Sequence, residues 1–233
     1  METLHQLLSE IARGRRGLEI GGPSPTGSVL YDHSRQMDNV IFSDETVWSS
    51  HKSGVFEYPI RDTTGEGRLY VRDATDLSSI ADGAYDFVFA SHSLEHIANP
   101  LKALCEWRRV VSDTGYLVLI LPEKSQCFDH RREYARFETL LTQYQNQVGE
   151  DDLSTLPEIL ATHDISRDGG ARNPAYFHAR SLDNYRNRCL HHYVYNVPLL
   201  FQIGEWLGCL GVYTVTNGLD IWFVMAKGNA PFA

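Results

Sequence analysis

The chain has 233 residues, of which 42% are hydrophobic, so it can bury a full core and sits at the upper end of the size range of one domain. It carries 21 Lys and Arg against 30 Asp and Glu, a formal net charge of -9 at pH 7. Nucleic-acid binding needs a broad cationic face that contacts phosphates, and this acidic composition argues against such a partner.

The four cysteines, Cys105, Cys127, Cys189 and Cys209, are widely scattered and lack the paired spacing typical of zinc or redox sites. Free thiols in a reducing compartment are the better interpretation. The first residues show no basic segment followed by an apolar core, and no apolar run is long enough to cross a bilayer. We therefore expect a cytoplasmic protein that contacts no membrane.

Helical and strand patterns alternate along the first half of the chain. Apolar residues recur at helical spacing from Leu4 to Ile11 and predict an opening amphipathic helix. Short apolar runs predict five strands, at residues 18–20, 39–42, 68–71, 85–90 and 116–121. Before the fifth strand, Asn99 can cap a helix that begins at Pro100 and ends in a turn at residues 112–115. This alternation predicts a doubly wound parallel sheet.

Residues 123–190 break this rhythm, because they are polar, rich in Tyr, Arg and His, and show helical patterning around residues 134–144 without an obvious strand. The chain then returns to regular elements, with a predicted helix at residues 198–210 and predicted strands at 212–216 and 220–226. Asn217-Gly218 joins these two strands and is a strong hairpin signal.

The first strand ends in Gly21-Gly22, which lets a ligand approach the backbone closely. The dinucleotide pattern GxGxxG is not matched. Pro23 and Pro25 also remove two amide donors from the loop where a pyrophosphate would need them. A ligand without phosphate therefore fits this loop better.

Three segments together carry a family resemblance: Leu18-Glu19-Ile20-Gly21-Gly22, Asp73-Ala74-Thr75-Asp76, and the strand, turn, helix and strand of residues 90–122. They closely resemble the class I S-adenosylmethionine-dependent methyltransferases of type 11. The resemblance implies an α/β fold with a doubly wound, mostly parallel seven-stranded sheet, a C-terminal antiparallel hairpin and a helical insertion after strand five. It also implies a single domain over residues 1–233, with 123–190 as a substrate-binding insertion or lid.

The resemblance implies S-adenosyl-L-methionine as the cofactor. Its amino acid portion would lie beside Glu19, Gly21 and Gly22, although Pro23-Ser24-Pro25 stands where the family has further glycines. Ser91 and His92, at the carboxyl end of the fourth predicted strand, would border the methionine portion.

Acids after the second and third predicted strands are the expected contacts of the nucleoside portion. By the same resemblance, Asp44 would bond the ribose hydroxyls, Asp73 would accept from the adenine amino group, and the Ala74 amide would contact the ring. An exposed loop acid is an almost equal alternative for Asp44. Asp76 fits better as a cap of the segment that follows it.

The segment His92-Ser93-Leu94-Glu95-His96 formally matches the HxxEH pattern of inverted zinc proteases. That pattern must lie within a helix, whereas here it follows an apolar strand directly, so the protease interpretation is poor. We expect hydrogen bonds to fix this turn and we assign no metal site. A divalent metal at His92, Glu95 and His96 is left open as an alternative.

The polar insertion and the residues just after it supply the candidates for acceptor binding. Phe128, Asp129, Arg131 and Arg132 are the predicted substrate contacts, since arginines can hold a phosphate or a carboxylate. An alcohol acceptor also needs a base, and the candidates are His163 and His192. Each of these histidines could equally be a surface or structural residue.

We therefore predict a methyltransferase whose partner is a small-molecule acceptor: a sugar, a nucleotide sugar or a secondary metabolite, methylated on oxygen. Two alternatives stay open, nitrogen methylation and a non-catalytic cofactor-binding subunit. The sequence gives no prediction of the oligomeric state.

Overall fold

The computed structural model of the protein describes residues 3–44, 54–57 and 66–228, which build one eight-stranded sheet. Its strands are β1 Arg16–Ile20, β2 Gln36–Ile41, β3 Gly54–Glu57, β4 Glu66–Val71, β5 Tyr85–Ser91, β6 Val111–Pro122, β7 Cys209–Asn217 and β8 Asp220–Lys227. Their order across the sheet is β3-β4-β2-β1-β5-β6-β8-β7.

All seven predicted strands are present, and the predicted fold is confirmed. Strands β4, β2, β1, β5 and β6 are mutually parallel, while β8 runs antiparallel to both β6 and β7 and forms the predicted hairpin. The sheet also holds the short edge strand β3, which pairs antiparallel with β4 and was not predicted.

Eight α-helices lie in the described part of the chain: α1 Leu4–Ala12, α2 Ser28–His33, α3 Pro100–Val110, α4 Phe137–Gln145, α5 Leu156–Thr162, α6 Pro174–Leu182, α7 Asn184–Asn187 and α8 Val197–Leu207. None of these helices has the length and apolar character needed to span a membrane. The four cysteines are free thiols, and a cytoplasmic location stays a prediction.

The sheet is buried on both faces, which explains its continuous apolar runs. Alternate residues of β5 show this directly: Val88 packs in one core cluster with Trp107 of α3, whereas Phe87 and Phe89 pack in the other with residues of α1 and α2. The insertion has a small core of its own around Ile159 and Phe177.

Two predicted boundaries were wrong. Residues 112–115 do not form a separate turn, because β6 already begins at Val111 beside Tyr85 of β5. Helix α8 ends at Leu207, three residues earlier than predicted, because Gly208 adopts the left-handed conformation with φ 67° and turns the chain into β7.

Candidate active site

One cavity of about 430 Å3 opens at the carboxyl ends of β1, β2, β4 and β5. The sheet order places β1 and β5 side by side where the winding of the crossovers reverses, the point at which open α/β sheets bind ligands. The insertion completes the wall with Glu150 and Arg188. The cavity therefore lies between the sheet and the insertion.

The loop after β1 allows a ligand to approach its backbone closely, and its first position requires a glycine. Gly21 lines the cavity with φ 81°, and a Cβ atom there would lie 2.3 Å from Ser93 Oγ. Thr26 Oγ1 is 2.8 Å from Ser91 Oγ, which ties the far end of the loop to the end of β5. The loop thus presents backbone and hydroxyl groups to the ligand.

Glu19 lies beneath this loop and is fully buried. Its carboxylate accepts hydrogen bonds from the Ser24 amide and hydroxyl, at 3.0 and 2.6 Å, and from Tyr31 Oη. Gly22 leaves room for that carboxylate, since a Cβ atom at Gly22 would lie 2.0 Å from its carbon. Burial raises the pKa of Glu19 to about 7, against the opposing effect of these hydrogen bonds. Glu19 therefore supports the loop and does not line the cavity.

The segment after β4 is held against α3. Trp107 Nε1 donates to the Ala74 carbonyl at 3.0 Å, and Asp73 Oδ1 accepts from the amide and hydroxyl of Thr75. The other carboxylate oxygen of Asp73 lies 3.1 Å from Arg188 Nη2. Asp73 and Ala74 both line the cavity, as the adenine assignment requires.

Arg188 joins two acids across this end of the cavity. Its Nη1 lies 2.8 Å from Glu150 Oε2, and its guanidinium carbon lies 5.2 Å from the centre of the Phe42 ring. Burial raises the pKa of Glu150 to about 7 even with Arg188 beside it. This end combines apolar and charged surface, which suits a nucleoside.

The opposite end of the cavity is lined by the turn after β5. His92 has φ 48° and its Nε2 lies 2.9 Å from Asp220 Oδ1 at the start of β8. Burial acts to lower the pKa of His92, but the nearby carboxylates of Glu95 and Asp220 raise it to about 9. His92 is therefore an imidazolium at neutral pH and cannot accept a proton in this state.

The second histidine at this end, His96, is neutral. Its Nδ1 donates to the Leu190 carbonyl at 3.1 Å, and burial together with the neighbouring His191 lowers its pKa to about 4. His191 in turn pairs through Nδ1 with Asp129 Oδ2 at 2.5 Å. The residue that follows the insertion therefore supplies a third imidazole to this region.

None of the four predicted acceptor contacts is among the residues that line the cavity, and all but Arg131 are at least partly buried in the insertion. Arg132 is 2% exposed, bonds Asp129 at 3.1 Å and donates to the carbonyls of His191 and His192. Phe128 packs between His191 and His163. Arg131 is exposed and pairs with Asp164 at 3.2 Å.

The two predicted bases are likewise absent from the cavity lining. His163 lies between Phe128 and Phe177 with its Nε2 3.0 Å from Asp168 Oδ2. His192 is 1% exposed, its Nε2 is 3.1 Å from Asn184 Nδ2, and burial lowers its pKa to about 3. Their assignment as bases stays a prediction, and their positions favour structural roles.

The structure brings five predicted cofactor residues to the cavity: Gly21, Asp73, Ala74, Ser91 and His92. Glu19 and Gly22 lie behind the lining, and Asp44 is exposed two residues beyond Phe42. Sequence reasoning missed Glu150 and Arg188, because nothing in the local pattern distinguishes them from exposed charges. It named the segment that contains His191 and His192 as a source of acceptor contacts but did not foresee that the His191 ring meets the His96 ring, at 4.6 Å between ring centres.

The comparison with protein families agrees with this geometry. The family model described as a methyltransferase domain matches residues 55–119, which run from β3 into β6 and include Asp73, Ser91 and His96. No curated protein matches the sequence.

Solved structures share the fold at low sequence identity. A SAM-dependent methyltransferase from Methanosarcina mazei has a TM-score of 0.54 at 14% identity, covering 97% of this chain and 99% of that chain. An S-adenosylmethionine-dependent methyltransferase from Mesorhizobium loti has a TM-score of 0.54 at 10% identity, covering 97% of this chain and 98% of that chain. At this identity the likeness concerns the fold alone.

Proposed function

We propose that this chain transfers a methyl group to an oxygen of a small polar acceptor, as a member of the class I S-adenosylmethionine-dependent methyltransferases. The acceptor is a sugar, a nucleotide sugar or a secondary metabolite. One observation carries the proposal. A single cavity joins the glycine loop and Asp73 at one side to a turn with two histidines, His92 and His96, at the other.

The residues present fit the cofactor. Its adenine amino group would donate to Asp73, and apolar Ile41 and Phe42 would cover the ring and ribose. Gly21 and Thr26 would face the amino acid portion. Asp44 stays a predicted ribose contact, and Glu19 with Gly22 would shape the loop. When bound, S-adenosylmethionine would supply the methyl group to the acceptor oxygen, and its sulfur would keep the electron pair of the carbon–sulfur bond.

The chain's own task is to align the acceptor and to remove its proton. We assign the acceptor to the end of the cavity lined by Ser91, His92 and His96, because the nucleoside would fill the Asp73 end. The insertion, residues 123–190, is proposed as the lid over this end, since Glu150 and Arg188 already close part of the wall. Phe128, Asp129, Arg131 and Arg132 act in this proposal by shaping the lid.

The experiment is a transfer assay with cofactor labelled in the methyl group against sugars, nucleotide sugars, phenols and amines. We expect label on an acceptor oxygen, located by mass fragmentation of the product. A matched reaction with the Gly21→Val variant should lose both cofactor binding and transfer, because the side chain would collide with Ser93. Label found only on nitrogen would replace oxygen methylation by amine methylation.

A further inference from the structure

Three side chains meet beside the acceptor end of the cavity. Glu95, His96 and His191 each offer one metal-ligating atom, and these atoms lie within 4.8 Å of one another. Two bonds hold the segments together: the His192 amide donates to the Glu95 carbonyl at 2.7 Å, and His96 Nδ1 donates to the Leu190 carbonyl. The juxtaposition is thus built into the contact between the insertion and the turn after β5.

Glu95 is the unusual member of this cluster. It is 1% exposed, and neither of its carboxylate oxygens has a hydrogen-bond partner among the described residues. His92 Nδ1 approaches Oε1 only to 3.5 Å. Buried carboxylates are almost always hydrogen-bonded or bound to a cation, because their desolvation is otherwise costly. Glu95 therefore has His92 at ion-pair distance from Oε1, while its Oε2 has no hydrogen-bond partner among the described residues.

Both imidazoles are oriented in the way that metal-ligating histidines are. A carbonyl can only accept, so the bond to Leu190 places a proton of His96 on Nδ1, and Nε2 is then the ring nitrogen that would act as the metal-ligating atom. In His191 the Asp129 carboxylate plays the same part, and Arg132 holds that carboxylate at 3.1 Å. A carboxylate or carbonyl on one ring nitrogen is the usual support for a ligand at the other.

We propose that Glu95, His96 and His191 bind one divalent transition-metal ion, through a carboxylate oxygen of Glu95 and Nε2 of each histidine, with Asp129 as the residue that positions His191. A set of two nitrogens and one oxygen suits Zn²⁺, Mn²⁺ or Fe²⁺ and does not suit Ca²⁺, which prefers oxygen alone. His92 is not a ligand in this proposal, because its two ring nitrogens face the carboxylates of Asp220 and Glu95.

The site has a consequence for the acceptor. Three protein ligands leave at least one position of a bound ion open, and His96 also lines the cavity. A hydroxyl that binds such an ion loses its proton at lower pH, so no strongly basic side chain is needed at this end. This consequence rests on the proposed function, whereas binding of the ion does not.

The test uses the full chain without a histidine tag, stripped with a chelator and titrated with Co²⁺. We expect one Co²⁺ per chain, visible absorption bands of nitrogen and oxygen ligation, and loss of those bands when Zn²⁺ is added. His96→Gln and His191→Gln should each weaken binding at least a hundredfold, and Asp129→Asn by about 10- to 100-fold. His178→Ala, which removes an exposed histidine of the same insertion, is the matched control and should bind as the unaltered chain does.

Far-ultraviolet circular dichroism identifies variants that fail to fold. If the His96 or His191 variant does not fold, the Co²⁺ titration is carried out on the nearly isosteric Glu95→Gln variant, which should also bind more weakly. The proposal is overturned if the folded chain binds neither Co²⁺ nor Zn²⁺ at millimolar concentration, or if the His96 and His191 variants keep full affinity. Failure to find an acceptor leaves these readouts intact. The proposed function and the metal site therefore fail separately.

Discussion

Arg188 and Asp73 are 115 positions apart in the sequence, yet Arg188 Nη2 lies 3.1 Å from Asp73 Oδ2. The same guanidinium pairs with Glu150 and lies over the Phe42 ring. One side chain of the insertion therefore contacts residues that follow β2 and β4, across the space assigned to the nucleoside. We therefore expect cofactor binding and the position of the insertion to be coupled through this arginine.

Replacing Asp73 with Asn should weaken cofactor binding. A hydrogen bond to a charged acceptor contributes about 1.5 to 3 kcal/mol, which corresponds to roughly a 10- to 150-fold increase in Kd. Calorimetry with S-adenosylmethionine and with its demethylated product measures the effect. Asp76→Asn is the matched control, because Asp76 accepts from the Ser78 amide and is not among the residues that line the cavity. Equal affinity in a folded Asp73→Asn variant would move the adenine site elsewhere.

Replacing Arg188 with Met should release the insertion. The variant leaves two neighbouring acids, Asp73 and Glu150, without their shared cation, so amide hydrogen exchange should rise in residues 184–192 and cofactor Kd should increase about tenfold or more. Arg186→Met is the control, since Arg186 is 82% exposed and its ion pair with Asp183 is 3.9 Å long. If hydrogen exchange and cofactor Kd change equally in both variants, Arg188 does not couple cofactor binding to the position of the insertion.

Replacing Glu19 with Gln should flatten the pH dependence of stability. Burial raises the pKa of Glu19 from 4.5 in the unfolded chain to about 7 in the folded one. Between these values the folded chain keeps a proton that the unfolded chain has lost, so this group makes the free energy of unfolding fall as pH rises. The loss is on the order of 3 kcal/mol.

Urea unfolding at pH 5 and pH 7.5 measures this contribution. The difference between the two pH values should shrink in Glu19→Gln relative to the unaltered chain. Glu10→Gln removes an exposed carboxylate and should leave the difference unchanged. Parallel pH profiles for all three proteins would show that Glu19 titrates at its ordinary pKa in the fold.

The sequence predicts the sheet well because strands buried on both faces are continuous apolar runs. Strand β3 escapes prediction, since four residues at a sheet edge carry no periodicity that separates them from a loop. The end of α8 depends on one left-handed glycine, Gly208, whose conformation the surrounding apolar pattern does not reveal.

Within the site, sequence reasoning finds the residues that follow strands, because parallel strands bring their carboxyl ends to one edge of the sheet. Gly21, Asp73 and His92 belong to this group. Arg188 and His191 do not, since their positions depend on the path of the insertion. That path is fixed by contacts such as His96 with Leu190, 94 positions apart, which no local pattern encodes.

Variants of His163 and His192 can distinguish a catalytic base from a side chain that only packs and hydrogen-bonds. His163 stacks on Phe177 with ring centres 4.1 Å apart and bonds Asp168, while His192 bonds Thr155 and Asn184. We expect His163→Ala and His192→Ala to lower the free energy of unfolding and to keep the turnover of the folded fraction, because neither ring lines the cavity. A general base would behave in the opposite way, with unchanged stability and cofactor affinity but turnover reduced roughly a hundredfold or more.

The measurement is turnover on the acceptor found by the transfer assay, divided by the folded fraction from circular dichroism. His163→Gln is the informative companion, since an amide can still bond Asp168 but cannot take up a proton at neutral pH. Turnover lost in both His163→Ala and His163→Gln, with folding intact, would make His163 the base. Turnover kept in these variants and in His192→Ala would leave proton removal to the end of the cavity where His96 lies.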